Sequence, residues 1–261
     1  NTIDWLYTRI SINNEVLDMS QSDISDFSRV LDMKRGTYSR EFIWHLKDGQ
    51  SLRITFLRFL SMVTPDLGCQ RITFQPVDFT GKVNIVSGLD FTPIHVDEKA
   101  NLWTEVYKEA SQYGCAILAK TNKTGQRLFS GMKLKADMAS GSTIIEREKF
   151  IALSFSLDLV KGMDQSVEKL VANNKYMDRS VMDDDIWEKG LKISNEIIST
   201  TFEDAYQKHM EYWEKAWNNL DMEIEGDPEN QQGIRFCIFN LNQTYNGNDS
   251  NLNIPAKGLT G

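Results

Sequence analysis

The 261-residue sequence lacks the features that indicate several common functions. Its formal net charge is −8 and it contains no basic block, which argues against the clustered Lys and Arg of a nucleic-acid-binding surface. Its apolar runs all fall well short of the roughly 20 residues that cross a bilayer. We therefore expect neither a nucleic-acid partner nor a membrane.

Cysteine and histidine are also scarce. The three cysteines, Cys69, Cys115 and Cys237, are far apart and show no CxxC spacing, which indicates reduced, buried thiols in a cytoplasmic protein. The three histidines show no metal-ligand spacing, and the sequence has no phosphate-binding loop, dinucleotide fingerprint or nucleophile elbow. We expect no metal and no cofactor.

What the first part of the chain does contain is a β pattern. Up to about Asp158, apolar and polar residues alternate in segments such as "SLRITFLRFLSM" and "FIALSFSLDL". Turn signals at Asp48–Gly49 and around Asn122 to Gly125 join neighbouring segments. Long strands at regular spacing, joined by polar turns, predict an antiparallel β-sandwich.

Two groups of side chains on these strands have both a functional and a structural interpretation. Arg53, Phe56 and Arg58 could form a binding face, or they could belong to a solvated face of one sheet. Glu146 and Glu148 alternate within one strand, so they could act as the paired carboxylates of a glycosidase. Ion pairs with a neighbouring strand are the interpretation that we favour for the two glutamates.

The period becomes helical after Gly162. "DQSVEKLVANNKYM" predicts a helix with Asp164 as its N-cap. The long stretch from Asp183 to Leu220 predicts two helices broken near Ser199–Thr201, because one helix would exceed about 50 Å. Asp183–Asp185 suit a helix N-terminus, with a metal site as the alternative.

The last segment predicts a short strand in "MEIEG" and then a helix from Pro228 to Asn246. Asp227 is its predicted N-cap, Pro228 its first residue, and Gly247 lies just past its end. Apolar residues cover much of its circumference, among them Phe236 and Phe239. A helix of this kind requires a partner, so we expect it to pack near Trp213 and Trp217 or against another molecule.

The C-terminal 49 residues also resemble a known family, as does a stretch near the N-terminus. The matching pieces are Trp213, Trp217, Ile224-Glu225-Gly226-Asp227, Gln231-Gln232-Gly233-Ile234-Arg235-Phe236, Asn253-Ile254, Lys257-Gly258-Leu259-Thr260-Gly261 and Asp26 to Trp44. The chain resembles glycoside hydrolase family 65, whose members include the inverting phosphorylases of maltose, trehalose, kojibiose, nigerose and glucosylglycerol.

The resemblance implies a domain order. Residues 1–162 would be an N-terminal β-sandwich whose first strands are missing, because Asn1 would fall inside the sandwich of the family. Residues 163–222 would be a helical linker, and 223–261 the start of a truncated (α/α)6 catalytic barrel. The implied fold class is mainly β with C-terminal α.

The resemblance also implies an activity for the longer parent protein. The parent would convert an α-linked glucose disaccharide and phosphate into β-glucose 1-phosphate and an acceptor, with no cofactor and as a homodimer. Its general acid would lie beyond Gly261, so this chain alone would have no catalytic residue. Lys257, Gly258 and Thr260 would belong to a loop that approaches the substrate pocket.

Two other functions fit the same residues. The sandwich could be a carbohydrate-binding module whose aromatic side chains stack on sugar, or the parent could be a hydrolase of the same family.

Overall fold

The computed structural model describes residues 2–245. They form thirteen strands and three helices. The strands are β1 (Thr8–Ile12), β2 (Glu15–Val16), β3 (Asp23–Asp32), β4 (Thr37–His45), β5 (Ser51–Leu60), β6 (Leu67–Pro76), β7 (Gly81–Asp90), β8 (Trp103–Ala110), β9 (Gly114–Thr121), β10 (Arg127–Lys135), β11 (Ser142–Arg147), β12 (Phe150–Leu159) and β13 (Gln165–Tyr176). The helices are α1 (Asp183–Ile197), α2 (Phe202–Leu220) and α3 (Pro228–Thr244).

The strands form two antiparallel sheets. The smaller sheet has the order β11-β12-β7-β1-β2, and the larger has the order β3-β4-β5-β6-β13-β10-β9-β8. One hydrophobic core lies between them, with Ile85 and Leu153 from the smaller sheet and Phe42, Ile54 and Phe74 from the larger. The predicted fold class, an antiparallel sandwich followed by C-terminal helices, is confirmed.

The predicted turns at Asp48–Gly49 and Asn122 to Gly125 are also confirmed. The first joins β4 to β5 and the second joins β9 to β10. Gly49 and Gly125 both have positive φ, at 89° and 64°, a conformation that glycine adopts without the steric penalty of a Cβ.

The helix predicted from Asp164 is wrong, because those residues form strand β13. This strand lies in the middle of the larger sheet, paired with β6 and β10. Val167 and Val171 face the sandwich core, whereas Leu170 and Ala172 face the helices on the other side. A strand buried on both faces loses the alternation that identifies a half-buried strand.

The break between the two connector helices is confirmed. α1 ends at Ile197, and α2 begins after Thr201, whose hydroxyl accepts a hydrogen bond from the backbone N–H of Asp204 at 3.1 Å. Both helices cover the outer face of the larger sheet. α1 packs through Ile186 on Phe129, and α2 packs through Phe202 on Phe59.

The strand predicted in "MEIEG" is wrong, since Met222 to Gly226 form no strand. The side chain of Gln231 forms hydrogen bonds with the backbone of this segment instead. Its amide nitrogen donates to the Met222 carbonyl at 2.8 Å, and its amide oxygen accepts from the Ile224 N–H at 2.7 Å. A short alternating segment can therefore be held by one side chain rather than by a neighbouring strand.

Among residues 2–245, the three helices are each too short or too polar to span a bilayer.

Candidate functional site

The substrate-approach loop predicted from the resemblance cannot be placed in the structure. Lys257, Gly258 and Thr260 lie outside the described residues, as does the general acid predicted beyond Gly261. The last described element before that loop is α3. Within the described residues, the candidate site is therefore the region where α3 and α2 meet the sandwich.

α3 begins as the sequence predicts. The Asp227 side chain accepts a hydrogen bond from the Asn230 N–H at 3.0 Å, and Pro228 occupies the first turn. Arg235 extends from the helix to Asp221 with two hydrogen bonds of 2.8 and 2.7 Å. This bidentate pair ties α3 to the end of α2 and fixes the turn between them.

α3 packs on α2 through stacked aromatic rings, as predicted. The ring of Phe239 stacks on that of Trp213, with centroids 4.8 Å apart, and Trp213 stacks on Trp217 at 6.0 Å. Trp213 and Phe239 are 0% and 1% exposed. The indole N–H of Trp217 donates to the Met33 carbonyl at 2.9 Å, so the same cluster anchors both helices to the sandwich.

The sandwich meets these helices at the β3–β4 turn, which belongs to the Asp26 to Trp44 stretch of the resemblance. Gly36 in this turn has φ +63°, and a Cβ added to it would overlap the indole nitrogen of Trp213. No local signal in "DMKRGTY" identifies this close approach, because it depends on a helix some 177 residues further along the chain. The sequence reasoning therefore missed the role of Gly36.

His209 fixes the same turn from α2. Its Nδ1 accepts from the Met62 N–H at 3.4 Å, which leaves Nε2 to donate to the Gly36 carbonyl at 3.0 Å. Burial lowers the pKa of His209 below its usual value, against the opposing effect of its backbone hydrogen bonds. A buried, neutral imidazole with both nitrogens engaged is a structural residue rather than an acid–base catalyst.

The acidic cluster Asp183–Asp185 lies in the first turn of α1, where the helix dipole favours negative charge. Asp183 receives hydrogen bonds from Arg127 at 2.8 Å and Lys120 at 3.2 Å. Partial burial acts to raise the pKa of Asp183, but these two bonds outweigh it and the pKa is lowered. Within residues 2–245, no group of three or more His, Cys, Asp or Glu side chains is arranged to hold a metal ion.

The Arg53, Phe56 and Arg58 set does not form one face. Arg53 points away from the core and pairs with Glu41 at 2.7 Å, whereas Phe56 faces inward and is part of the core. The interpretation as a solvated face therefore fits Arg53 alone. Arg58 lies on the inner side, over the ring of Tyr38 at 4.4 Å.

Glu146 is exposed on β11, but Glu148 lies in the turn that follows it, so the prediction that the two glutamates alternate within one strand is wrong. Glu148 pairs with its neighbour Lys149 at 3.4 Å. Neither carboxylate lines a hollow in which a sugar could be enclosed, so the pair has the surroundings of surface charges rather than those of a catalytic dyad.

One buried group was not anticipated from the sequence. Lys169 projects from β13 into the sandwich core, where its Nζ donates to the Gly88 carbonyl at 2.7 Å and the Tyr7 carbonyl at 3.3 Å. Burial lowers the pKa of Lys169 to about 7 and raises the pKa of the nearby Cys115 thiol to about 12. The two carbonyls link β13 to the smaller sheet and to the segment before β1.

The described residues thus define a two-layer antiparallel sandwich that supports a helical connector and a further docked helix. Comparison with known proteins identifies the family of this chain. The glycosyl hydrolase family 65 N-terminal domain matches residues 1–216, so the chain belongs to glycosyl hydrolase family 65.

Curated relatives align over the whole chain. It is 29% identical to the alpha,alpha-trehalose phosphorylase of Thermoanaerobacter brockii and 27% identical to the maltose phosphorylase of Bacillus subtilis (strain 168). In each case the alignment covers 100% of this chain but only 35% and 34% of the relative. The chain therefore spans about a third of the length of these relatives.

A solved structure gives the same result. A protein described as a kojibiose phosphorylase from the human microbiome superimposes with a TM-score of 0.91 and 26% identity, over 100% of this chain and 34% of that protein. The sandwich and its helices together have the same arrangement in both proteins.

Proposed function

We propose that this chain is the non-catalytic N-terminal part of a family 65 phosphorylase. The longer protein would cleave an α-linked glucose disaccharide with phosphate, with inversion, to give β-glucose 1-phosphate and a free acceptor. The observation that carries the proposal is the alignment of this whole chain with about a third of the length of several phosphorylases, together with the match to the family's N-terminal domain.

The chemistry assigned to the parent requires one carboxylic acid from the protein. An inverting glycosidase uses a general acid to protonate the leaving oxygen and a general base to activate water. Phosphate is already an anionic nucleophile, so a phosphorylase needs only the acid. We place that acid beyond Gly261 and assign Lys257, Gly258 and Thr260 to the loop that approaches the glucosyl unit.

The described residues would supply support rather than chemistry. His209 and the Asp183–Asp185 cluster, which could have been catalytic, have structural partners. The stacked Trp213 and Phe239 hold α3 in a fixed position at the entrance to the proposed barrel. The predicted order of sandwich, helical linker and start of a barrel is part of this proposal, but the sandwich boundary moves from residue 162 to Tyr176, because β13 belongs to the larger sheet. A linker ending at residue 222, a barrel segment 223–261, a homodimeric parent and a cytoplasmic location are also part of the proposal.

Sequence identity does not indicate which disaccharide linkage the parent protein would cleave. The identities to maltose, trehalose and kojibiose phosphorylases are 27%, 29% and 24%. A hydrolase of the same family is the second candidate, and the phosphate requirement of the parent distinguishes the two.

The proposal predicts that the 261-residue chain is catalytically inert. The chain would be incubated with phosphate and, separately, maltose, trehalose, kojibiose and nigerose, and glucose 1-phosphate would be measured. We expect no product above that of a heat-denatured control. Turnover of any of the four sugars would show that residues 1–261 contain a complete site and would contradict the proposal.

A further inference from the structure

Three arginines cluster at the free edge of the larger sheet. Arg29 lies directly opposite Arg40 in the β3–β4 pair, and Arg58, opposite Tyr38, is the diagonal neighbour of Arg40 in the β4–β5 pair. Side chains in such positions are about 5 Å and 7–8 Å apart at their bases. The three guanidinium groups therefore share one region on the inner side of the sheet.

This corner of the inner face is open. The smaller sheet ends at β2, and Phe27 and Leu31 on β3 are 50% and 43% exposed. A hollow of about 270 Å³ lies beside Arg58 and is lined in part by Trp5, Leu31 and Tyr38. Such a volume is slightly below the range of typical small-molecule sites, so it suits a ligand of monosaccharide size.

The positive charges of the three arginines are not balanced by ion pairs within the described residues. Among residues 2–245, carboxylates pair with arginines elsewhere, at Arg35, Arg53, Arg71, Arg127 and Arg235. Within residues 2–245, no carboxylate pairs with Arg29, Arg40 or Arg58. Asp26 and Glu41, which lie near Arg29 and Arg40 in sequence, are bound by Arg53, and Asp32 is bound by Arg35.

Aromatic rings hold two of the three guanidinium groups in place. Arg40 lies 4.5 Å from the ring centre of Phe56, and Arg58 lies 4.4 Å from that of Tyr38. Stacking uses the flat face of a guanidinium and leaves its N–H edge available to bind an anion with two hydrogen bonds. Burial lowers the pKa of Arg40, and the positive charges of Arg58 and Arg29 lower it further.

We propose that Arg29, Arg40 and Arg58 form a site for a phosphate group, carried by a small sugar phosphate or present as free phosphate. Like charges held together at a partly buried position repel one another, and a bound dianion relieves that repulsion. Trp5, which lines the hollow, would offer a surface on which an attached sugar ring stacks. The three arginines all lie on strands of the sandwich.

The test is a titration of the 261-residue chain by calorimetry, with inorganic phosphate, glucose 1-phosphate and glucose as separate ligands. We expect saturable 1:1 binding of the two phosphate compounds and none of glucose. Tighter binding of glucose 1-phosphate would assign the site to a sugar phosphate, and equal binding would assign it to free phosphate. Only the choice of glucose 1-phosphate rests on the proposed function, so the inorganic phosphate titration tests the site even if that function fails.

Variants separate a built site from general electrostatics. Arg58→Gln and Arg29→Gln should each weaken phosphate binding by about tenfold or more, and Arg58→Lys should also weaken it although the net charge is kept. Arg147→Gln is the matched control, because Arg147 lies 4.4 Å from the ring centre of Phe150 and is outside the cluster. Circular dichroism would confirm that each variant is folded. Absence of saturable binding, or equal losses in Arg147→Gln and Arg58→Gln, would overturn the proposal.

Discussion

At the scale of single residues, Gly36 is the position at which one added carbon should matter most. Gly36→Ala would combine a left-handed backbone conformation with an overlap between the new Cβ and the Trp213 indole. We expect a loss of about 2–5 kcal/mol in the free energy of unfolding, measured by urea denaturation.

Gly49 provides the control for that substitution. It also has positive φ, 89°, but a Cβ built there would have no neighbour within 4 Å. Gly49→Ala should therefore show the backbone cost alone, about 1–2 kcal/mol. Equal losses in the two variants would mean that Trp213 does not approach Gly36 as the structure has it.

Lys169 predicts an unusual dependence of stability on pH. Its folded pKa is about 7, below the ordinary value of 10.5, so between these values the unfolded chain binds more protons than the folded one. Burial of Lys169 therefore lowers the free energy of unfolding by its full amount below about pH 7. This loss becomes smaller as the pH rises towards 10.5. Lys169→Met should be more stable than the wild-type chain at pH 6.5. Above pH 7, the difference in the free energy of unfolding between the two proteins should shrink by up to about 1.4 kcal/mol per pH unit.

Denaturation between pH 6.5 and 8.5 measures this difference and stays below the ordinary pKa of the buried thiols. Lys133→Met, at an exposed position on β10, is the control and should show no such trend. A constant difference between Lys169→Met and the wild-type chain over this range would show that Lys169 stays charged in the core.

These two residues also mark a limit of sequence reasoning. Gly36 and Lys169 have no distinguishing local pattern, since their roles depend on Trp213 and on the backbone carbonyl of Gly88, which are distant in the chain. Asp227 and Pro228 were predictable because a helix cap is a contact between neighbours in sequence.

At the scale of elements, the docking of α3 should depend on one side chain. Phe239 is 1% exposed against Trp213, whereas Phe236 on the same helix is 48% exposed. Phe239→Ala should remove the stacked contact, at a cost of about 3–5 kcal/mol for a buried ring. We expect hydrogen exchange to accelerate in α3 while the sandwich strands remain protected.

Phe236→Ala is the matched control for this prediction and should leave exchange in α3 almost unchanged. If the two variants exchanged alike, the Trp213–Phe239 stack would not be the contact that holds α3.

The elements also show which sequence patterns are reliable. Strands with one wet face, such as β5, are visible from alternation, and the helix break before Phe202 is visible from its capping threonine. β13 was missed because helices cover one of its faces and the sandwich core the other. The false strand at Met222 to Gly226 arose because the hydrogen bonds of Gln231, which replace strand pairing there, leave no periodic signal.

At the scale of the whole molecule, sandwich and helices form a support whose partners lie in the rest of the proposed parent. The sandwich class and the C-terminal helices followed from the change of period, and the family resemblance supplied the activity. The candidate site could not be built from the sequence, because the acidic cluster that suggested a metal site joins α1 to the sandwich through Asp183 and Arg127, and the predicted substrate loop lies outside residues 2–245.

We propose that this chain belongs to a phosphorylase rather than to a hydrolase or a sugar-binding module. The most direct measurement is proton NMR of the longer parent protein with maltose, trehalose, kojibiose and nigerose, with and without phosphate. We predict that one of these sugars is consumed only when phosphate is present and that the first product is β-glucose 1-phosphate. Release of free glucose without phosphate, or formation of the α anomer, would contradict the account.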